Sequence, residues 1–311
     1  MKTLAILMIG SCVASGTGLP MAGAAEDEVL SAVYSTAYNG YVRATEPDGS
    51  FTPETYTFGE GEHASGPMRD ASSDNYPFPK LARLLAPYLA RQNYVPSQSS
   101  AGTDLLIVVH WGATTPYDSE SYRETLTGLR AAMNPLQNFG GPVIQTARNS
   151  GRPSVGSSNA YRQQRDSQVD GYLTMLSMQN ELRNRADAHN AALLGYLPEM
   201  NRFGDMWRSA GFGTYFGDLT ADLEEDRYYV ILAAYDFQRA WKQKQLKLLW
   251  VTRVSIRAHG NRFDEDLDAM IRSAARYFGQ NSPGLMRQRV PEGKVEVGEP
   301  KVIGVVPDAG K

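Results

Sequence analysis

The sequence predicts an α/β protein (α+β in its mixed strand directions). A two-layer sandwich is expected, in which helices cover a mixed sheet in the order β-α-β…β-β-α, with a helical insert between the halves. Three observations carry this. Residues 104–111 (DLLIVVHW) and 227–237 (RYYVILAAYDF) are continuous apolar runs rich in branched and aromatic residues, the pattern of strands covered on both faces. Residues 246–257 alternate strictly, with Leu246, Leu248, Trp250, Thr252, Val254 and Ile256 on one side, and are followed by a well-punctuated helix. Between the two runs, from about 115 to 215, the chain changes to helical spacing.

The elements follow in order. At the N-terminus, Lys2 precedes the apolar run LAILMIG, and Pro20 precedes Ala22-Gly23-Ala24. This is the layout of a secretory signal peptide cut after Ala24, and the run is too short to span a bilayer as a mature helix. Export to the periplasm or beyond is therefore expected. The single cysteine, Cys12, lies in this segment; Ile9-Gly10-Ser11-Cys12 loosely fits a lipoprotein cleavage box, which makes an outer-membrane lipoprotein the minority alternative. Cleavage after Ala24 would leave no thiol, excluding disulfides, cysteine–zinc sites and cysteine nucleophiles.

Residues 25–75 hold one clear strand candidate, 54–62, where Tyr56 and Phe58 alternate with threonines. A turn-rich loop at 70–79 leads to a helix with Pro79 in its first turn and Leu81, Leu84, Leu85, Tyr88 and Leu89 on one face. Pro87 should kink it and Asn93 should stop it. The insert is predicted to contain a helix at 119–133, a loop, and a long helical stretch at about 158–200. The apolar stripe of that stretch is Met175, Met178, Leu182, Ala186, His189, Leu193 and Leu197.

The segment RAWKQKQ reads as a basic hairpin connection between the last two main strands. After them, Asn261 can cap a helix whose first turn carries Asp264, Glu265 and Asp266. Phe263, Leu267, Met270, Ile271, Ala274 and Phe278 form its buried face, and Gly279 can end it. Alternating stretches at 294–297 and 301–306 are expected to add edge strands or a flap. The organisation expected is one domain over 25–311, with the insert at about 115–215 and a tail at 280–311.

The segment FPKLARLLAPYLARQNYVPSQSSAGTDLLIVVHWG (78–112) and the stretch WVTRVSIRAHGNRFDEDLDAMIRSAARYFG, within 246–279, resemble a family of uncharacterised bacterial secreted or lipid-anchored envelope proteins, a domain of unknown function. The shared features are a helix ending in an Asn-Tyr step, a short loop, and a Thr-Asp start to an apolar strand. The chain departs from that pattern by its large insert and by lacking a convincing lipidation cysteine. The resemblance implies a fold and a compartment. It brings no reaction and no catalytic residues.

Composition excludes several function classes. A net charge of −3 gives no electrostatic reason to expect nucleic acid. Beyond the leader, no run approaches the length of a transmembrane helix. There is no G-x-S-x-G, since Gly151 stands three positions before Ser154, and no H-E-x-x-H. Gly59, Gly61 and Gly66 do not make a dinucleotide loop, and Asp70 and Asp74 lack calcium-loop spacing. No catalytic, cofactor-binding or metal residue is assigned, and no cofactor is expected.

The candidate pocket is His110, Trp111, Asp236 and His259. His110 and Trp111 close a strand at the carboxyl edge, where open α/β sheets bind ligands; the bland reading is a core cap and a satisfied histidine. Asp236 ends the second run and could act as an acid, base or anchor, or pair with the nearby RAWKQK cations. His189, Met175 and Met178 read as packing, and the acidic run 222–226 as a solvated approach to a strand. The 17 tyrosines are expected mostly at sheet and helix boundaries, although exposed ones could recognise a glycan or peptide.

The functional expectation is an exported, non-enzymatic binding or scaffolding module whose partner is another envelope protein or a cell-wall component. The alternative is an exported hydrolase or small-ligand enzyme with a cleft between sheet edge and insert.

Overall fold

The computed structural model describes residues 28–117, 119–133, 155–204 and 213–291. The proposed leader with Cys12 and Ala24, and the alternating stretches at 294–297 and 301–306, lie outside the described residues.

A seven-stranded mixed sheet organises the molecule. Its strands are β1 (Glu28–Ala37), β2 (Glu54–Ala64), β3 (Tyr94–Pro96), β4 (Leu105–Ala113), β5 (Arg227–Asp236), β6 (Leu248–Arg257) and β7 (Met286–Pro291), in the spatial order β3-β2-β4-β5-β6-β1-β7. β2 pairs in parallel with β3 and β4, and every later pair is antiparallel. The predicted α/β two-layer sandwich is therefore the observed architecture. The β-α-β unit runs from β2 through helix α2 (Phe78–Ala90) to β4, after the short helix α1 (Ala71–Asp74). Pro87 does lie inside α2, and Asn93 leaves the helix region at φ 59°.

One face packs under α2 and under α8 (Phe263–Ala274). There Leu81, Leu85 and Leu89 meet Ile107, Val230, Trp250 and the buried face of α8. All six residues expected on that helix face are fully buried. Its cap differs from expectation. The capping position is Arg262, whose N–H is held by the Asp266 carboxylate at 2.8 Å, while Asn261 bonds back to Arg257 O at 2.8 Å. Asp266 can reach its N–H because the first-turn carboxylates face the helix's open donors.

Three further expectations are corrected. The first concerns β1, a strand inside the sheet between β6 and β7, whose signal is weakened because EVLSAVYSTA intersperses small and polar residues among its apolar ones. Its buried serines are paired instead, Ser35 Oγ with Thr252 Oγ1 at 2.7 Å and with Tyr277 O at 2.9 Å. The second concerns β4, which is not equally covered on both faces. Leu105, Ile107, Val109 and Trp111 are buried, while Leu106, Val108 and His110 are half-buried. Third, the basic connection after β5 is a short helix, α7 (Phe237–Gln243), ended by Lys244 at φ 56°.

The insert begins with α3 (Ser119–Met133), as predicted, and continues with α4 (Val155–Leu194), α5 (Leu197–Gly204) and α6 (Gly213–Leu223). At 40 residues, α4 is about 60 Å long. Its lower end, with Tyr196 and α6, covers the second sheet face. Ala191, Leu194, Tyr196, Leu219 and Leu223 pack there on Ala32, Tyr229, Ile231, Ala233 and Val251.

Further up, the predicted stripe faces outward. Met175, Met178 and Leu182 are 52%, 66% and 42% exposed, and His189 is exposed as well. The buried stripe is Leu176, Gln179, Asp187 and Asn190, one residue along. A one-residue step turns a helix by about 100°, so a shift of this size exchanges the faces. Polar groups can occupy the inside because they find partners. Gln179 Nε2 donates to Ser121 Oγ at 2.9 Å and Thr125 Oγ1 at 3.0 Å, and Asn190 Nδ2 to Leu223 O at 3.2 Å.

A buried ion pair joins the insert to the sheet. Arg227, 2% exposed at the start of β5, lies 3.3 Å from Asp222 of α6. Removing one partner of such a pair strands the other charge. Arg227→Met should destabilise the protein by about 3–5 kcal/mol in urea unfolding at neutral pH. A loss below about 1 kcal/mol would mean that Asp222 relaxes to water or is held by Arg287 alone.

Candidate functional site

The parallel strands β2 and β4 end side by side, and β5 begins there. Register brings Ala64 opposite Gly112, Ala113 opposite Tyr228, and Tyr228 opposite Ile256. Gly112 has φ +147°, and a Cβ at that position would overlap the carbonyl of Ala64, so only glycine permits this close approach. The chain leaving β2 turns through Gly66 to Asp70, while the chain leaving β6 turns through Ala258 to Gly260. Between them lies a recess of about 350 Å³, lined among others by Met68, Asp70, Asp226, Tyr228 and His259.

Each polar wall has a physical origin. Asp70 caps α1, accepting from Ser72 N–H and Ser72 Oγ, both at 2.9 Å. It also accepts from the Tyr228 hydroxyl. Burial pushes the Asp70 carboxyl up, but the Tyr228 and Ser72 donors outweigh it and hold the group below its ordinary range. Burial, with the adjoining Asp70 charge, pushes the Tyr228 phenol up to about 12. Asp226 is the reverse case. Burial raises its carboxyl, and its buried Oδ1 has no hydrogen-bond partner among the described residues. Two carboxyls of one recess are thus pushed in opposite directions.

The four residues singled out in the sequence do not converge. His259 lines the recess and is exposed. Trp111 is 4% exposed on the helix-covered face, its ring 6.0 Å from that of Phe78 and 5.4 Å from that of His63. His110 points to the other face, as adjacent strand residues must. Its Nδ1 accepts from Glu62 N–H at 3.0 Å, and burial lowers its pKa, which keeps the imidazole neutral. Asp236 lies opposite Leu105, whereas His110 lies opposite Ile231. Five rungs separate the two pairs, about 17 Å along the strand. Asp236 caps α7 by accepting from Arg239 N–H at 3.0 Å, which is a backbone bond and no ion pair with the basic segment.

Sequence reasoning missed Asp70, Asp226 and Tyr228. Asp70 did carry a signal, because Asp-x-Ser is an aspartate poised to cap the next turn. The acidic run 222–226 is not a solvated approach. Asp222 is 5% exposed, Glu224 pairs with Arg183, and Glu225 pairs with Arg257.

The recess carries opposed pH signatures. Asp70's contribution to stability is present above the ordinary carboxylate range and lost as pH falls through its lowered pKa. Tyr228→Phe should therefore cost about 1–2 kcal/mol at pH 7 and less below about pH 3. Asp226's penalty is absent at acid pH and grows as pH rises through its raised pKa. Asp226→Asn should then melt about 2 °C above the parent at pH 7 and level with it near pH 3. Thermal unfolding across pH 3–8 checks both signs.

No protein-family model matches the chain, and no curated protein is similar enough to match it.

Proposed function

We propose that this protein is an exported binding module whose carboxyl-edge recess holds a hydrogen-bond-donating group of a cell-wall component. The observation carrying this reading is Asp226 Oδ1, a buried acceptor without a partner among the described residues, on the wall of a recess of about 350 Å³. A buried acceptor left unmade costs about 1–3 kcal/mol, and a ligand donor would recover it. The position supports the same reading, since open α/β sheets take ligands beyond the carboxyl ends of parallel strands. Export is supported by the signal-peptide layout of residues 1–24, and the envelope setting by the resemblance at 78–112 and 246–279. His110 and Asp236 are engaged in local hydrogen bonds at separate places, which favours binding over a nucleophile–base pair built from them.

One observation favours the second reading, an exported hydrolase. Asp70 and Asp226 have pKa values pushed apart in one recess, the arrangement in which one carboxyl gives a proton and the other takes one.

A single titration separates the two. The exported protein is mixed with solubilised cell-wall fragments bearing free amino groups; calorimetry follows binding and mass spectrometry follows the fragments. Saturable binding of unaltered fragments, weakened about tenfold or more by Asp226→Asn, is the expected result. Cleaved fragments would establish the hydrolase, and neither binding nor cleavage would reject both readings. Intact mass of the exported chain should correspond to a start at Ala25; a lipid on Cys12 would overturn soluble export.

A further inference from the structure

The end of the sheet opposite the carboxyl-edge recess carries a surface of another kind. In the β5–β6 register, Tyr228 beside the recess stands opposite Ile256, and Tyr235 at the other end stands opposite Leu248. The two places are about 23 Å apart along the strand. At the second, α7 and the chain that joins it to β6 form residues 237–247, FQRAWKQKQLK. This stretch holds four cations and no acid, in a chain whose net charge is −3.

The backbone of this connection is well tied. Asp236 accepts from Arg239 N–H at 3.0 Å to start α7, and Asp236 N–H donates to Lys247 O at 3.0 Å to close the return to β6. Phe237 N–H donates to Asp104 O at 2.9 Å, and Gln238 Nε2 to Thr103 O at 2.8 Å. The side chains it presents are open to water. Residues 241–246 are all exposed, with Trp241 at 56% and Leu246 at 69%. The Trp241 ring stacks on Phe237, with centroids 6.1 Å apart and planes 10° from parallel, and Lys244 Nζ lies 5.2 Å from it. Val42, also exposed, follows the turn that Asn39 Nδ2 ties to Leu248 O at 2.9 Å.

The cations have no acid to answer them. Among the described residues, none of Arg239, Lys242, Lys244 and Lys247 forms an ion pair. Asp236 is engaged as the cap of α7, and Asp104 accepts from Thr55 N–H at 2.8 Å and Thr55 Oγ1 at 2.7 Å. Lys242 and Lys244 complement the negative end of α7, which accounts for their charge but not for the exposed tryptophan and leucine between and beside them.

We propose that this end of the sheet docks on an anionic lipid bilayer, with Trp241 and Leu246 entering the headgroup layer and the four cations meeting lipid phosphates. Unpaired lysines and arginine supply the charge complementarity. An indole with one end apolar and one polar fits the bilayer interface, and an aliphatic side chain such as Leu246 gains from a lipid boundary what no soluble polyanion offers. Docking here leaves the carboxyl-edge recess at the far end of the sheet, so the proposal stands apart from what that recess binds.

The test is cosedimentation of the exported protein with vesicles of phosphatidylcholine, alone or mixed with phosphatidylglycerol. Saturable binding to the mixed vesicles only is expected, weakened about tenfold or more by high salt. Trp241 supplies a reporter, since Trp111 and Trp250 are buried; its emission should shift to the blue on binding. Two double variants change exposed side chains only. Trp241→Ala with Leu246→Ser removes the apolar part, and Lys242→Gln with Lys244→Asn removes two charges, asparagine tolerating the left-handed backbone at 244. Each should weaken vesicle binding about tenfold or more. Equal binding to neutral vesicles, no binding to either, or binding that survives both variants would overturn the proposal. So would equally tight binding of dextran sulfate without the blue shift, which would mark a site for soluble polyanions. Asp226→Asn should bind vesicles as the parent does; a loss there would move the membrane contact to the recess and overturn this assignment alone.

Discussion

The pairing of Arg227 with Asp222 is the interaction on which the rest of the structure depends. Both side chains are withdrawn from water, at 2% and 6% exposure. Removing two charges from water costs several kcal/mol each unless every donor and acceptor is satisfied. Here they are. Arg227 lies 3.3 Å from Asp222 Oδ1, and its Nε donates to Ser255 Oγ at 3.2 Å. Asp222 also receives Arg287 at 3.2 Å and the Tyr196 hydroxyl at 3.1 Å. One carboxylate thus ties α6, the start of β5, the edge strand β7 and the turn after α4 into a single unit. The insert is anchored to the sheet by a charge cluster, with the apolar contacts of Leu194, Leu219 and Leu223 filling the space around it.

That anchor fixes the residues that follow. From Asp222 the acidic run passes along the sheet edge before entering β5. Glu224 turns to the lobe side and meets Arg183, Glu225 pairs with Arg257 at the end of β6, and Asp226 turns to the carboxyl-edge side. The carboxyl-edge recess would not have its carboxylate in place if the run were free to move. Conformational order here comes from Asp222, whose own side chain does not line the recess. A residue with a purely structural role therefore sets the electrostatics of the candidate site.

The parts legible in the sequence are those whose signal is local. Residues 227–237 and 246–257 announce strands because large apolar side chains fill both faces or alternate across them, and 263–278 announce a helix by spacing alone. The parts that were not legible depend on partners distant in the chain. β1 lies inside the sheet, and its buried serines depend on distant partners, Ser35 on Thr252 and Tyr277 O and Ser31 on Gln288 O. The stripe on α4 was displaced by one residue because Gln179 and Asn190 are polar by composition and buried by virtue of Ser121, Thr125 and Leu223. His259, one of the four candidates, lines the carboxyl-edge recess. Asp226 was missed because an acidic run looks the same whether it faces water or the two sides of a packed sheet edge.

The same contrast bears on function. Where this fold buries the Asp222 charge, Arg227, Arg287 and the Tyr196 hydroxyl converge on it. On the acidic run and on α4, Asp226 Oδ1 and Asp187 Oδ1 have no hydrogen-bond partner among the described residues. A small apolar residue in place of Asp226 or Asp187 would remove the cost of an unpaired buried acceptor, about 1–3 kcal/mol for each such group. Departures from local consistency of this kind are expected at functional positions and are compensated elsewhere in the fold. The inverted face of α4 fits the same logic, since a helix arm built only to pack would turn Met175, Met178 and Leu182 inward and its glutamine and aspartate out. The buried stripe of α4 mixes Leu176 with Gln179, Asp187 and Asn190, and the lobe that carries it is tied to the sheet through the Arg227–Asp222 pair.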